Sequence, residues 1–198
     1  RPRDWSSDVC SSDLFFPKKL TLLLSVLVLT AGCVSVPPVD FNVQEVGMVE
    51  NRKNAELKSL TVGFAPQAQQ KEVNADASIP PVWKRALTDS LNRSLIFQDD
   101  QKVKVNLSVR IVEFDIPGAG GEMRTKVGAI YEIIDRGNGA LLFSDLIESE
   151  GIVPFDYAFL GVARSVESWN RAVRNNIADF INRLDQADLS KPIFEGRK

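Results

Sequence analysis

The 198-residue chain has no histidine and only two cysteines. Without imidazole there is no Ser-His-Asp triad, no histidine metal ligand and no imidazole proton shuttle. Two cysteines cannot build a disulfide-rich scaffold. Neither sign of charge is in excess. Twenty-four Lys and Arg against 26 Asp and Glu leave a formal charge of −2, which excludes a bulk electrostatic grip on nucleic acid. No apolar run reaches the roughly 20 residues that a membrane-spanning helix needs. What is present suits one globular domain: 44% apolar residues, 25% charged residues and 11 Phe argue against wholesale disorder.

The first residues do not read like the rest. Asp4-Trp5-Ser6-Ser7-Asp8-Val9-Cys10-Ser11-Ser12-Asp13-Leu14 resembles one reading frame of a common sequencing adapter. Residues 1–14 are therefore expected to be an artefactual leader and carry no fold argument. Residues 15–32 read as a signal peptide. Lys18-Lys19 supply a positive start, Leu20 to Leu29 is apolar apart from Thr21 and Ser25, and Thr30-Ala31-Gly32-Cys33 closes the run with small residues and a thiol. Small residues let a peptidase approach the backbone, and the thiol can accept a diacylglyceryl group.

The segment Leu29-Thr30-Ala31-Gly32-Cys33 resembles the lipobox of bacterial lipoproteins, with Thr30 in place of the usual Leu. The resemblance implies that Cys33 becomes the mature N-terminus, carrying diacylglyceryl and N-acyl chains (the palmitate-type lipid of such proteins) and no other cofactor. Several acyl chains, at about 0.8 kcal/mol per buried methylene, anchor firmly. Val34 after the cysteine, where Asp marks inner-membrane retention, implies an outer-membrane anchor facing the periplasm. Removal of residues 1–32 leaves 20 basic and 23 acidic side chains, a net charge of −3.

Residues 33–56 read as a lipidated tether, extended at Val36-Pro37-Pro38, with a short strand conceivable through Phe41, Val43, Val46 and Met48. A strand is expected at 58–65 and a loop at 66–79. Ser78-Ile79-Pro80-Pro81 then signals a helix start, with Ser78 as the capping hydroxyl. Trp83, Leu87, Leu91 and Leu95 give one apolar stripe over 80–96. Val103, Val105, Leu107, Val109 and Ile111 alternate with polar residues, the pattern of a half-buried strand over 102–112. A second alternating run covers 122–134. A tight turn at 135–139 leads to a third strand from Leu141 to Ile147, bulged around Asp145. Val162, Val166, Trp169, Val173, Ile177, Phe180 and Leu184 form one continuous face of a helix over 159–185. Its outer face would carry Arg164, Glu167, Arg171 and Arg174. The tail 186–198 is expected to fray.

These elements predict a single α+β domain over 57–185. The expected architecture is a two-layer sandwich in the order strand, helix, three-stranded antiparallel meander, helix, with both helices on one face of the sheet. This layout, with the lipobox, resembles small periplasmic lipoproteins of Gram-negative bacteria, of the YajG type and of the auxiliary type that serves lipid-transport ABC systems. That resemblance implies an accessory or partner-binding role in envelope biogenesis.

Chemistry-bearing motifs are few. Gly118-Ala119-Gly120-Gly121 joins two strands and not a strand to a helix, so it does not form a phosphate loop. Exposed at one end of the sheet, it could contact a partner. Glu113 with Asp115, and more weakly Asp145 with Glu148, are the carboxylate pairs available for acid–base work. Pro154-Phe155-Asp156-Tyr157-Ala158-Phe159 precedes the long helix, and its alternate aromatics either cap the end of the core or, if exposed, suit an apolar partner. The expected function is a non-catalytic, lipid-anchored module that contacts the membrane through its anchor and an envelope protein through its surface, with no nucleic-acid partner. Candidate contact residues are Gly118, Gly120, Gly121, Phe155, Tyr157 and Phe159. Two alternatives stand: a carrier of lipid or a small hydrophobic ligand, which needs a cavity between helices and sheet, and a glycan hydrolase working with carboxylates alone.

Overall fold

In the computed structural model, residues 36–116, 118 and 120–196 are described. The lipobox residues Leu29, Thr30, Ala31, Gly32 and Cys33, and the leader and signal segments, lie outside them. Six main elements follow one another: β1 (Ala55–Phe64), α1 (Ile79–Ser94), β2 (Val103–Asp115), β3 (Met123–Asp135), β4 (Leu141–Val153) and α2 (Gly161–Gln186). They form one four-stranded sheet in the order β1-β2-β3-β4. Both helices lie on the same face and share one core with it. The architecture is the α+β two-layer sandwich that the hydrophobic periods imply.

The meander β2-β3-β4 is antiparallel, as turns of a few residues require. β1 differs: it runs parallel to β2, from Ala55 opposite Val103 to Phe64 opposite Ile111. The physical reason is α1. A helix between two neighbouring strands carries the chain back to its starting end, so the second strand runs in the same direction as the first. Within the segment expected to be a loop, Lys71 to Asn74 prolongs β1's place beside β2. The Lys71 N–H donates to the Val112 carbonyl, and the Phe114 N–H to the Glu72 carbonyl.

Each element has a local cause. α1 begins with prolines that suit a first turn. Ser78, however, makes no side-chain cap; the Asp76 carboxylate accepts the Ser78 N–H at 2.7 Å instead. α1 ends two residues earlier than its apolar stripe suggests, where Leu95 turns left-handed at φ 55°. β2 alternates in burial through Ile111 and then bulges at Val112, which keeps Phe114 on the helix side and sends Glu113 to the open face. The irregularity expected at Asp145 lies instead at Leu142, between the pairs Ile133–Phe143 and Ile134–Leu141. Asp145 stays in register opposite Tyr131.

The core is filled where the two layers meet. Trp83, Leu87, Leu107, Ile111, Tyr131, Ile177 and Phe180 have at most 1% of their surface exposed. Phe41 meets Trp83 edge-on at 6.4 Å, and Tyr131 stacks on Phe180 at 4.1 Å.

Two segments expected to hang free are built into the domain. Phe41 and Val43, placed by their pattern in the tether, are buried. The chain from Pro38 to Lys53 forms a strap along α2. Asn170 accepts the Asp40 N–H at 2.9 Å and donates to the Pro38 carbonyl at 3.1 Å. At the far end, the Lys53 ammonium donates to the Asp185 and Ala187 carbonyls, both at 2.7 Å, and so caps the helix C-terminus. The tail is not frayed throughout either: Ile193 and Phe194 hydrogen-bond to Leu141.

Candidate functional site

The two loops singled out as contact candidates meet at one end of the sheet. β4 ends at Val153, and Pro154 turns the chain into a short 3-10 turn over Phe155–Tyr157 before α2 begins. The glycine loop lies alongside. A Cβ added at Gly121 would stand 3.8 Å from the Phe155 ring, an ordinary van der Waals distance, so the two loops come into contact there.

Arg164 holds this junction together. Its spacing along α2 places it with Glu167 and Arg171 on the outer face, but it is 4% exposed. Its guanidinium turns back over the helix start. It donates to the Ala158 carbonyl at 2.5 Å, the Phe159 carbonyl at 3.2 Å and the Gly120 carbonyl at 3.3 Å, and it lies 4.8 Å from the centre of the Phe155 ring. Five donors in a fixed fork suit such a set of carbonyls. Arg171 does the equivalent one layer along. It is paired with Glu167 at 3.0 Å, donates to the Ile152 carbonyl at 2.9 Å, and lies 5.4 Å from the Tyr157 ring centre. Arg174 completes the group by reaching Asp40 at 3.6 Å.

The rings so held face outward. Phe159 is 88% exposed, Phe155 65%, Val162 54% and Tyr157 46%. They do not cap the core, whereas the paired Met123 and Val153 at the same end of the sheet are buried. Four large apolar side chains in eight residues of rigidly pinned backbone form an apolar prominence of the kind that marks an interaction surface. Gly118 and Gly120 line a shallow groove beside it with Met123, Gly161 and Val162.

The carboxylate candidates are placed elsewhere and are tied up. The bulge puts Glu113 on the open face of the sheet, across Gly128 from Glu148. Lys71 sits between them, 3.6 Å from Glu113 and hydrogen-bonded to Glu148. That bond to Glu148 is the main reason the Lys71 ammonium holds its proton more tightly than usual. Asp145 is paired with Arg183 at 2.7 Å. Asp115 lies two register pairs beyond Glu113, opposite Lys126. The structure therefore presents Glu113, Glu148 and Asp145 as ion-paired groups. Among the described residues, no cluster of acidic or sulfur side chains is arranged to hold a metal ion. The space between helices and sheet, which a carrier would need, is occupied by Trp83, Tyr131 and Phe180. A groove of about 650 Å³ lies open on the outside of the domain between α1 and β1, lined by Leu57, Leu60, Leu91 and Phe97.

Sequence reasoning missed the clamps. Arg164 and Asn170 were visible only as polar positions on a helix, and nothing in their spacing says that one caps loop carbonyls and the other seizes the strap. Phe41 and Val43 did carry a signal, an alternating pair just after Pro37-Pro38.

No family model matches the sequence, and no curated protein matches it either. Solved structures show distant similarity in shape. A protein of Caulobacter crescentus described as a candidate lipoprotein is 14% identical, with a TM-score of 0.40 over 67% of this chain and 88% of its own. A DUF330 protein of Xanthomonas campestris is 9% identical, with a TM-score of 0.48 over 73% of this chain and 90% of its own. A PelC dodecamer from Paraburkholderia phytofirmans is 13% identical, with a TM-score of 0.45 over 70% and 92%. Likeness at this level carries nothing about activity or partner.

Proposed function

We propose that this chain is a lipid-anchored bacterial lipoprotein acting as a non-catalytic contact module in cell-envelope assembly or transport, attached to the outer membrane through Cys33 and facing the periplasm, with the aromatic end of its domain as the contact surface. The observation that carries the reading is the exposure of Phe155, Tyr157, Phe159 and Val162 on backbone pinned by Arg164. A folded chain does not leave such residues in water at no cost: each fully buried ring would contribute about 1.5–3 kcal/mol. The lipobox pattern at 29–33, three residues before the described domain, supports the anchor. The filled helix–sheet interface and the ion-paired carboxylates speak against a carrier or a hydrolase.

Two measurements test the proposal. Cys33→Ser is expected to move the protein from the membrane fraction to the soluble one, or to leave uncleaved precursor. A Cys33→Ser chain that stays mature and membrane-bound would refute anchoring at that residue. Photocrosslinking in cells from position 159 is expected to capture an envelope component, lipid or protein, that crosslinking from position 136 does not. Identical patterns from the two positions would remove the aromatic end from the proposal.

A further inference from the structure

Cys33 lies three positions before Val36 and five before Pro38. At no more than about 3.6 Å per residue, five residues span at most about 18 Å. Pro38 does not wander. Its carbonyl accepts from Asn170 at 3.1 Å, the next-but-one residue Asp40 donates to Asn170 at 2.9 Å, and Arg174 reaches the Asp40 carboxylate. The residue that would carry the lipid, Cys33, is therefore held within that distance of Pro38, which is itself clamped on Asn170. Arg171, the neighbour of Asn170 in α2, carries Tyr157 on its guanidinium and holds the Ile152 carbonyl. Val162 lies eight residues before Asn170, about 12 Å along the helix axis. The point where an anchor would leave the domain and the exposed aromatic end are thus on the same stretch of α2.

Resting on the lipoprotein reading above, we infer that the aromatic end is seated in the surface of the bilayer that holds the anchor, with Phe155, Phe159 and Val162 entering the boundary between headgroups and acyl chains and Tyr157 lying at headgroup level. The chemistry fits that occupant. Tyrosine favours headgroup level, and phenylalanine suits the apolar side of an interfacial segment. The stretch from Pro154 to Arg164 contains one acidic side chain, Asp156. The attraction is apolar and not electrostatic, because the chain from Cys33 onward is net negative and an anionic surface would repel it. The contact adds a second, short-range hold to that of the acyl chains and sets the domain's tilt. Alone, an acyl anchor leaves a domain free to turn about its tether; three rings and Val162 in the interface do not.

The test uses the full chain, expressed with its lipid anchor and reconstituted into phosphatidylethanolamine–phosphatidylglycerol vesicles. Phe159→Cys and, as a control at the far end of β3, Arg136→Cys are labelled with an environment-sensitive fluorophore. Both positions are exposed, so neither substitution disturbs the core. The expected result is blue-shifted emission at 159, quenched by lipids carrying a quencher near the headgroup and insensitive to added salt, with water-like, unquenched emission at 136. A membrane-bound protein whose label at 159 stays water-like, or is shielded by a protein and not quenched by lipid, overturns this inference and leaves the lipoprotein reading intact. A protein that does not enter the vesicle fraction at all overturns both.

Discussion

Tyr131 lies in the middle of β3 with no exposed surface, its ring stacked on Phe180 and its hydroxyl donating to Asn176 Oδ1 at 2.8 Å. Burial pushes its pKa far above the ordinary value of 10.0. Unfolded, the phenol ionises from about pH 10; folded, it stays neutral. The unfolded state therefore gains an ionisation that the native state lacks, and the stabilising contribution, whole below pH 10, falls as pH rises beyond it. The urea midpoint of the wild type should drop more steeply above pH 10 than that of Tyr131→Phe, and parallel curves would contradict this account. At neutral pH, Tyr131→Phe leaves Asn176 Oδ1 short of a partner and should cost about 1–2 kcal/mol. The same scale explains why Arg164 was misplaced by its spacing. Helical period says which face a Cα occupies. It does not say that a six-atom arm will double back over the helix start to collect the carbonyls of Gly120, Ala158 and Phe159. The grouping of Phe155, Tyr157 and Phe159 in one irregular stretch was legible in their alternation. Their exposure was not, because it depends on that arm.

Between elements, the informative contact is β4 against α2. A Cβ added at Gly151 would stand 2.0 Å from the Ser168 carbonyl oxygen and 2.4 Å from the Ala172 nitrogen. The strand and the helix touch backbone to backbone there, and small side chains make it possible. Thr125 and Ser168 share a hydrogen bond of 2.7 Å beside the crossing, and Ser149 donates to the Ala172 carbonyl. Gly151→Ala should force the two apart and lower stability by about 3 kcal/mol or more, read as a shift in denaturant midpoint at unchanged slope. It should also disturb the Arg171–Ile152 bond that supports Tyr157. At this scale the sequence was informative about kind and order. The apolar spacing of α2 and the alternation of β2 are strong signals, because each serves one buried face. Two things were not legible. The bulge at Val112 leaves no period of its own, and β1's direction follows from where α1 returns the chain and not from anything within residues 55–64.

Across the whole molecule, the strap decides where the domain begins. Phe41 sits against Trp83 in the same core as Tyr131 and Phe180, so residues 36–54 belong to the folded unit. Phe41→Ala should destabilise the entire domain by about 3–5 kcal/mol, and unfolding should remain a single transition by two independent probes. A separate early transition confined to the strap would show that it is an appendage. This feature was read as a tether because its short apolar pattern is surrounded by polar residues and flanked by proline. A segment that covers the edge of a core need bury only two side chains, and a signal of two is too short to mark a folded element.

The strap also determines how the domain answers a mechanical load. It runs in the same direction as α2, from Pro38 beside Asn170 to Lys53 at Asp185, and a lipid on Cys33 would pull on its first residue. A pull along the helix axis puts the Asn170 clamp, the Phe41 socket and the Lys53 cap under strain together, in shear. A pull away from the helix meets them one at a time, starting with two hydrogen bonds to Asn170. The same attachment is therefore tough when the domain is dragged along its long helix and yielding when it is lifted off.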